Sequence, residues 1–237
     1  MKVSLLGPVG SGKGTQAQLV SGRLNYARIS TGDLVRDQIE AGTELGRELK
    51  GYSDRGEPVP DDIIMDLVRP QLQPAGGWIL DGIPRTVQQA RMLDEGLKER
   101  STGALDHVIV LEGPSDEELI ERITSGRRHS LATGRVYHLD HDPPPDPVEG
   151  EDPGPFVQRD DDTEEAIRRQ LEAYREEAEA IKEYYEERGV LTVVDASQEV
   201  STADDWPGAE VFMLLRLHTL YEIPADGREE ESNECFD

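Results

Sequence analysis

The sequence has little of what marks secreted, membrane-spanning or nucleic-acid-binding proteins. It contains a single cysteine, Cys235, in 237 residues, which excludes an intrachain disulfide framework and favours a reducing cytoplasm. No run of about 18 apolar residues occurs, so no membrane span is predicted. Basic residues number 25 against 50 acidic ones, so no broad nucleic-acid footprint, which needs a basic face, is expected.

The formal net charge of -25 has two interpretations. The acidic residues are spread along the whole chain, which favours a solvated, halophilic-type acidic surface that keeps the protein soluble in a salt-rich cytoplasm. The alternative is an acidic surface made for a basic partner. In either case, an anionic ligand has to be bound by local clusters of Arg and Lys.

Five short apolar segments predict the strands of a sheet, and stretches with helical spacing separate them. The segments are KVSLL, ARIS, GWILDGIP, DHVIVLEG and GVLTVVDAS. The first of them lies in MKVSLLGPVG, which predicts a buried strand entering a turn and not a secretory signal. The βαβ alternation predicts a three-layer α/β fold with a parallel five-stranded sheet.

Two stretches interrupt this alternation. Residues 30–59 have the spacing of short helices joined by Gly turns. Residues 126–162 are rich in Pro, Gly and Asp, which fits either a disordered acidic loop or a small mobile lobe with arginines at both ends. A long helix follows, whose apolar face belongs to the core. That face comprises Ile167, Leu171, Tyr174, Ala178 and Ile181.

Residues 7–15, GPVGSGKGT, form a glycine-rich loop between the first predicted strand and the first helix. Such a loop turns successive N–H groups toward a phosphate, and Lys13 reaches the β- and γ-phosphates. The hydroxyl that usually follows the lysine arrives one residue late, at Thr15, because Gly14 intervenes. Glycine cannot bind Mg²⁺, so the phosphates, water and a nearby carboxylate have to hold it. Asp81 is the candidate, and a helix cap or a buried turn carboxylate is the alternative for it.

The chain resembles the adenylate kinases, a family of nucleoside monophosphate kinases, over residues 1–197. The resemblance is carried by the loop and by STGDLVR, LDGIPRTVQQA, GRR…GRVYH…PP and RDDD. It implies a P-loop fold with an inserted helical AMP-binding lobe and a lid lobe. The implied boundaries are 1–29, 60–125 and 163–220 for the core, 30–59 for the AMP-binding insert, 126–162 for the lid and 221–237 for an acidic, disordered tail.

The resemblance also implies an activity. An adenylate kinase reversibly transfers the γ-phosphoryl group of ATP to AMP and gives two ADP, with Mg²⁺ as cofactor and a role in nucleotide biosynthesis and adenine nucleotide homeostasis. The implied partners are therefore ATP and AMP, and the family default is a monomer. Two alternatives stay open: a kinase for UMP, CMP or GMP, and a catalytically weak adenine-nucleotide sensor.

The resemblance further implies which residues act. The catalytic group consists of Lys13, Asp81, Arg85, Arg127 and Arg159, with Asp81 reaching Mg²⁺ through water. The implied ATP-binding residues are Gly10, Ser11, Gly12, Lys13, Gly14, Thr15, Arg122, Arg127, Val136, Tyr137 and Gln198. The implied AMP-binding residues are Thr31, Arg36, Glu57, Pro58, Val59, Gly82, Ile83, Pro84, Arg85, Gln89, Arg159 and Gln170.

The sequence departs from the family pattern at several of these positions. Gln170 stands where the family has an arginine, and Arg169 next to it points about 100° away around the helix. Ile83 replaces an aromatic residue, and Ser53 replaces an apolar residue that packs on the AMP base. The lid lacks the four cysteines that bind zinc in some relatives, so a polar, hydrogen-bonded lid is expected. A substitute zinc site formed by His129, His138 and His141 is the alternative, although their spacing fits no zinc pattern.

Overall fold

The computed structural model describes residues 1–55, 57–72, 76–100, 103–146 and 150–197. Gln198 and the acidic tail expected at 221–237 lie outside these residues. No helix in this described part of the chain is long and apolar enough to cross a membrane.

The described residues form eight β-strands and seven α-helices. The strands are β1 (Lys2–Leu6), β2 (Ala27–Ser30), β3 (Trp78–Asp81), β4 (His107–Glu112), β5 (Arg127–Ser130), β6 (Val136–His138), β7 (Phe156–Val157) and β8 (Leu191–Asp195). The helices are α1 (Lys13–Leu24), α2 (Thr31–Glu40), α3 (Glu44–Arg55), α4 (Asp61–Val68), α5 (Val87–Glu99), α6 (Asp116–Thr124) and α7 (Glu164–Glu186). A short 3₁₀ helix, Arg69–Gln71, follows α4.

The central sheet has five parallel strands in the order β2-β3-β1-β4-β8, which confirms the predicted sheet. Successive strand residues face opposite sides, so each strand contributes to two apolar layers. Leu5 packs with Val20 of α1 on one side, while Leu6 belongs to the layer that contains Leu93 of α5 and Ile181 of α7. The fold is therefore the three-layer α/β arrangement expected of a P-loop protein.

The long helix α7 buries most of the face that the sequence assigned to the core; the exception is Tyr174, which is only partly buried. Ile167, Leu171, Ala178 and Ile181 are buried, and Thr163 caps the helix by accepting a hydrogen bond from the Ala166 amide at 3.3 Å. The first half of α7 packs on α6 and the second half on the core of the sheet. The helix thus connects α6 to the central sheet.

The stretch 126–162 is folded and contains a three-stranded antiparallel sheet in the order β6-β5-β7. Asp152 holds its centre. The carboxylate of Asp152 accepts hydrogen bonds from Ser130 Oγ and Thr133 Oγ1, both at 2.6 Å, and from Tyr137 OH at 2.9 Å. Desolvation alone would raise the pKa of Asp152, but these bonds and one from the Gly154 amide lower it to about 2. The centre of this sheet is therefore a polar, hydrogen-bonded network.

The stretch 30–59 consists mainly of α2 and α3, which cross closely. Gly46 permits the crossing, because a side chain there would collide with the Gln38 carbonyl oxygen. Ser30 caps α2 by accepting a hydrogen bond from the Asp33 amide at 3.3 Å. This stretch begins at the carboxyl end of β2, on the side of the sheet where ligands bind in open α/β folds.

Candidate active site

A cleft of about 2120 Å³ lies at the carboxyl ends of β1, β2 and β3 and between the two inserted stretches. Pockets for one small ligand usually measure about 300–1,000 Å³, so this cleft has room for two nucleotides. Its walls come from the glycine-rich loop, from α2 and α3, from the antiparallel sheet and from α7.

The glycine-rich loop leaves the N-terminus of α1 open to an anion. Gly10 and Gly12 have φ angles of 82° and 88°, which are in the left-handed region that a residue with a side chain rarely adopts. Helices α2, α5, α6 and α7 are capped by Ser or Thr side chains, whereas the N-cap of α1 is Gly12, which provides no side-chain cap, and the first turn of α1 has no acidic residue. Ser11 Oγ is buried with no hydrogen-bond partner in the described structure. These free donors suit a phosphate group.

Lys13 is partly buried inside this loop. Its Nζ donates a hydrogen bond to the Pro8 carbonyl oxygen at 3.0 Å. Burial lowers the pKa of Lys13 to about 8; nearby Asp81 raises it, and Arg85 and Arg127 lower it further. Such an ammonium group gains from an added negative charge, because the anion replaces the hydration that burial removed.

Several arginines line the cleft with Lys13, and we call five of these basic side chains the cationic cluster: Lys13, Arg36, Arg85, Arg127 and Arg159. Burial, and then the charges of Arg36 and Arg127, lower the pKa of Arg159 to about 10. Burial also lowers the pKa of Arg85, again with Arg36 contributing. The cationic cluster is thus close enough for its members to repel one another, which is the electrostatic signature of an anion site.

Carboxylates and carbonyls hold the cationic cluster in place. Arg127 forms a bidentate pair with Asp162, whose side chain is fully buried. Arg36 pairs with Asp33, and Arg85 donates from Nε to the Gly82 carbonyl oxygen at 2.9 Å. Orientation by a second group is what precise binding of phosphate oxygens requires.

The wall formed by α4 and α5 fixes a glutamine amide. Gln89 Oε1 accepts from the Arg85 amide, and Gln89 Nε2 donates to Asp61 Oδ1, both at 2.7 Å. Thr86 also donates to Asp61, at 2.7 Å. An amide has two N–H donors and two acceptor positions, so Gln89 keeps one of each for a ligand. Thr31 Oγ1 in the same cleft is buried without a hydrogen-bond partner in the described structure.

Asp81 ends β3 at the floor of the cleft and is 7% exposed. Its Oδ2 pairs with Arg28 Nη2 at 2.7 Å, so its described contact is an ion pair and not a helix cap. A Cβ on Gly14 would lie 3.4 Å from this oxygen, and the missing side chain leaves a gap between the loop and the carboxylate. A carboxylate facing a phosphate loop across such a gap has the donor chemistry that suits Mg²⁺ held through water.

The described residues that the sequence assigned to the site all line this cleft, with the exception of Ile83. Ile83 is fully buried in the core beneath β3, and its carbonyl oxygen accepts a hydrogen bond from Ser4 Oγ at 2.6 Å. Its neighbours Gly82 and Pro84 do reach the cleft, as do the divergent positions Ser53 and Gln170. Arg122, which also lines the cleft, donates from Nη1 to the Ala196 carbonyl oxygen at 3.4 Å.

Sequence reasoning missed the residues that position the others, namely Arg28, Asp33, Asp61 and Asp162. Asp33, Asp61 and Asp162 each stand within or beside a motif that the sequence analysis used, but their pairing with particular arginines or amides needs the fold. His129 has both ring nitrogens buried without hydrogen-bond partners in the described structure. Burial, followed by the charges of Arg159 and Arg127, lowers the pKa of His129 to about 3, so it is neutral.

No group of three or more His, Cys, Asp or Glu side chains that could hold a metal ion occurs in the described ranges. The expectation of a lid without zinc stays a prediction. The network around Asp152 connects the polar side chains of Ser130, Thr133 and Tyr137 in this antiparallel sheet.

The chain is similar to known proteins over most of its length. A family model described as adenylate kinase matches residues 5–190. A protein of Salinibacter ruber named adenylate kinase is 45% identical over 199 residues, which cover 83% of this chain and 91% of that protein. Adenylate kinases of Methanothrix thermoacetophila and Archaeoglobus fulgidus are 41% and 42% identical and cover 86% and 84% of this chain and 95% and 93% of their own lengths.

Proposed function

This chain belongs to the adenylate kinase family and is an ATP:AMP phosphotransferase, and we propose that its cleft performs the transfer by holding ATP and AMP with their phosphate groups facing each other. The observation that carries this proposal is the cationic cluster, which lies between the uncapped end of α1 on one wall and the Gln89 amide on the other.

The ATP phosphates bind at the loop. The N–H groups of residues 10–15 and the ammonium group of Lys13 surround the β- and γ-phosphates. Arg122, Val136 and Tyr137 line the neighbouring wall and contact the rest of ATP. We place Gln198 in the same group, although it lies outside the described residues.

AMP binds on the opposite wall. Arg36 and Arg85 hold its phosphate, while Thr31, Gln89 and the backbone of residues 57–59 contact its base. The unused hydroxyl of Thr31 and the remaining donor and acceptor of Gln89 are the polar groups that an adenine edge requires.

The attacking oxygen belongs to an AMP phosphate that is already ionised near neutral pH, so the chain needs no general base. The protein contributes position and positive charge around the moving phosphoryl group. Arg127 and Arg159 come from the lid side and close this positive ring, and their guanidinium groups fit phosphate oxygens bidentately.

Adenylate kinases use Mg²⁺ with ATP, and Asp81 is the residue that would hold it, through water. When bound, Mg²⁺ neutralises charge on the β- and γ-phosphates. For the whole molecule, we propose a monomer in a reducing cytoplasm, with residues 30–59 as the AMP-binding lobe and 126–162 as the lid.

The experiment that tests this proposal measures ADP formation from ATP and Mg²⁺ with AMP, UMP, CMP or GMP as acceptor. AMP is expected to give the highest kcat/KM. Arg85→Gln is expected to lower kcat/KM for AMP by about 10²–10³-fold, as removal of one oriented donor does at a site of developing charge. Arg100→Gln is the matched control, because Arg100 lies outside the cleft and donates to the Leu72 carbonyl oxygen. Failure to form ADP at any salt concentration would contradict the assignment.

A further inference from the structure

Arg28 has no part in the mechanism above, yet it joins two carboxylates of the active site. Its Nη2 lies 2.7 Å from Asp81 Oδ2, and its Nη1 lies 2.9 Å from Asp33 Oδ2. Its Nε is buried with no hydrogen-bond partner in the ranges that the structure describes. The side chain is 24% exposed, while that of Asp81 is only 8% exposed. Arg28 is therefore held in the cleft by charge and not by a surface contact.

The same guanidinium group faces the gap beside the phosphate loop. A Cβ on Gly14 would lie 3.4 Å from Asp81 Oδ2 and 3.8 Å from Arg28 Nη2. Both groups thus border the space beside the first turn of α1, where the ATP phosphates enter. A divalent cation that uses Asp81, even through water, comes well within one Debye length, about 8 Å, of this fixed positive charge.

Asp81 needs a cation whether or not nucleotide is bound, because a buried carboxylate without a partner is strongly unfavourable. Arg28 supplies this partner in the structure. It also has a second anchor, Asp33, so loss of the contact with Asp81 does not leave the guanidinium group unpaired. The ion pair between Arg28 and Asp81 can therefore open when another cation binds Asp81, and Arg28 then keeps its contact with Asp33.

We propose that Arg28 is a positioning residue that competes with the nucleotide-bound divalent cation for Asp81, and so limits how much the metal adds to ATP binding. This inference rests on the assignment of Asp81 to the metal in the proposed function. It predicts that the metal contributes less to nucleotide affinity in this enzyme than it does when residue 28 carries no charge.

The test measures the dissociation constant of a non-hydrolysable ATP analogue by calorimetry, once with Mg²⁺ and once with a chelator. The ratio of the two constants is the contribution of the metal, and direct effects of a variant on nucleotide binding cancel from it. Arg28→Gln is expected to raise this ratio about tenfold, which corresponds to about 1.4 kcal/mol. An unchanged or smaller ratio in Arg28→Gln would overturn the proposal.

Two matched variants distinguish the effect of a positive charge at residue 28 from the effect of the protein's net charge. Arg28→Lys keeps the charge and is expected to keep the ratio. Arg69→Gln removes one positive charge outside the cleft, where Arg69 pairs with Asp66, and is also expected to leave it unchanged. If Arg28→Gln does not fold, Arg28→Asn provides a shorter neutral hydrogen-bond donor and is expected to raise the ratio likewise.

The variant Asp81→Asn distinguishes the assignment of Asp81 to the metal from the competition by Arg28. It is expected to lower the ratio, and Arg28→Gln added to it is expected to have no further effect. A wild-type ratio in Asp81→Asn would contradict the assignment of Asp81 to the metal. A lowered ratio in Asp81→Asn with no rise in Arg28→Gln would contradict the competition alone.

Discussion

The affinity for ATP is expected to fall as the pH rises through 8, because Lys13 then loses its proton. Burial lowers the pKa of Lys13 to about 8, so the charged form is lost in the free enzyme within the working range of many assays. If only the charged form binds the phosphates, the apparent dissociation constant rises about tenfold between pH 7 and pH 9, which is about 1.4 kcal/mol. ATP is fully ionised above pH 8 and adds no slope of its own.

The measurement is a calorimetric titration with the non-hydrolysable ATP analogue at several pH values between 7 and 9.5. Lys13→Met is expected to bind more weakly and to lose the pH dependence, whereas Lys98→Met, with a lysine outside the cleft, keeps it. A flat affinity for the native enzyme, or an unaltered slope in Lys13→Met, would refute this account. The pH dependence of folding stability has the opposite sign. Because the pKa of Lys13 is lower in the folded than in the unfolded chain, the free energy of unfolding rises with pH between about 8 and 10.5.

Three further perturbations test other parts of the site. Asp61→Ala removes the hydrogen-bond partner of Gln89 and Thr86 and is expected to raise KM for AMP about tenfold with little change in KM for ATP. The control is Asp62→Ala, which changes the exposed neighbour in the same helical turn. Equal effects of the two variants would contradict the positioning role of Asp61. Gln170→Arg adds a cation to the cleft and is expected to raise kcat/KM by about tenfold, the value of one charge-assisted hydrogen bond; no gain would show that the cationic cluster is already sufficient. Because the chain carries a net charge of -25, the midpoint of thermal unfolding is expected to rise from low to molar KCl as repulsion is screened, and a flat or falling midpoint would contradict this.

The sequence predicts the sheet and the phosphate loop well because both have strong local signals. Apolar runs such as HVIVLE belong to strands buried on both faces, and the glycines of the loop are needed where the backbone turns. The strands of the antiparallel sheet, β5, β6 and β7, have no comparable apolar or glycine pattern in the sequence. RRHS of β5 is mostly charged or polar, and β7 has only two residues, so neither shows a strand period.

The positioning residues could not be predicted because they depend on strand order. Arg28 lies on β2 and Asp81 on β3, and their contact requires these strands to be parallel neighbours with Ser30 beside Asp81. Ile83 shows the opposite error. It stands in a motif that surrounds the cleft, but its apolar side chain packs into the core between two residues that do reach the ligand space.

The central claim is that the cationic cluster binds two nucleotides at once, with their phosphate groups end to end. The most direct test is calorimetric binding of a mimic in which two adenosines are joined through five phosphates. The account predicts one molecule bound per chain, with an affinity well above that of ATP or AMP and competition by both. Absence of binding, or competition by ATP alone, would contradict it.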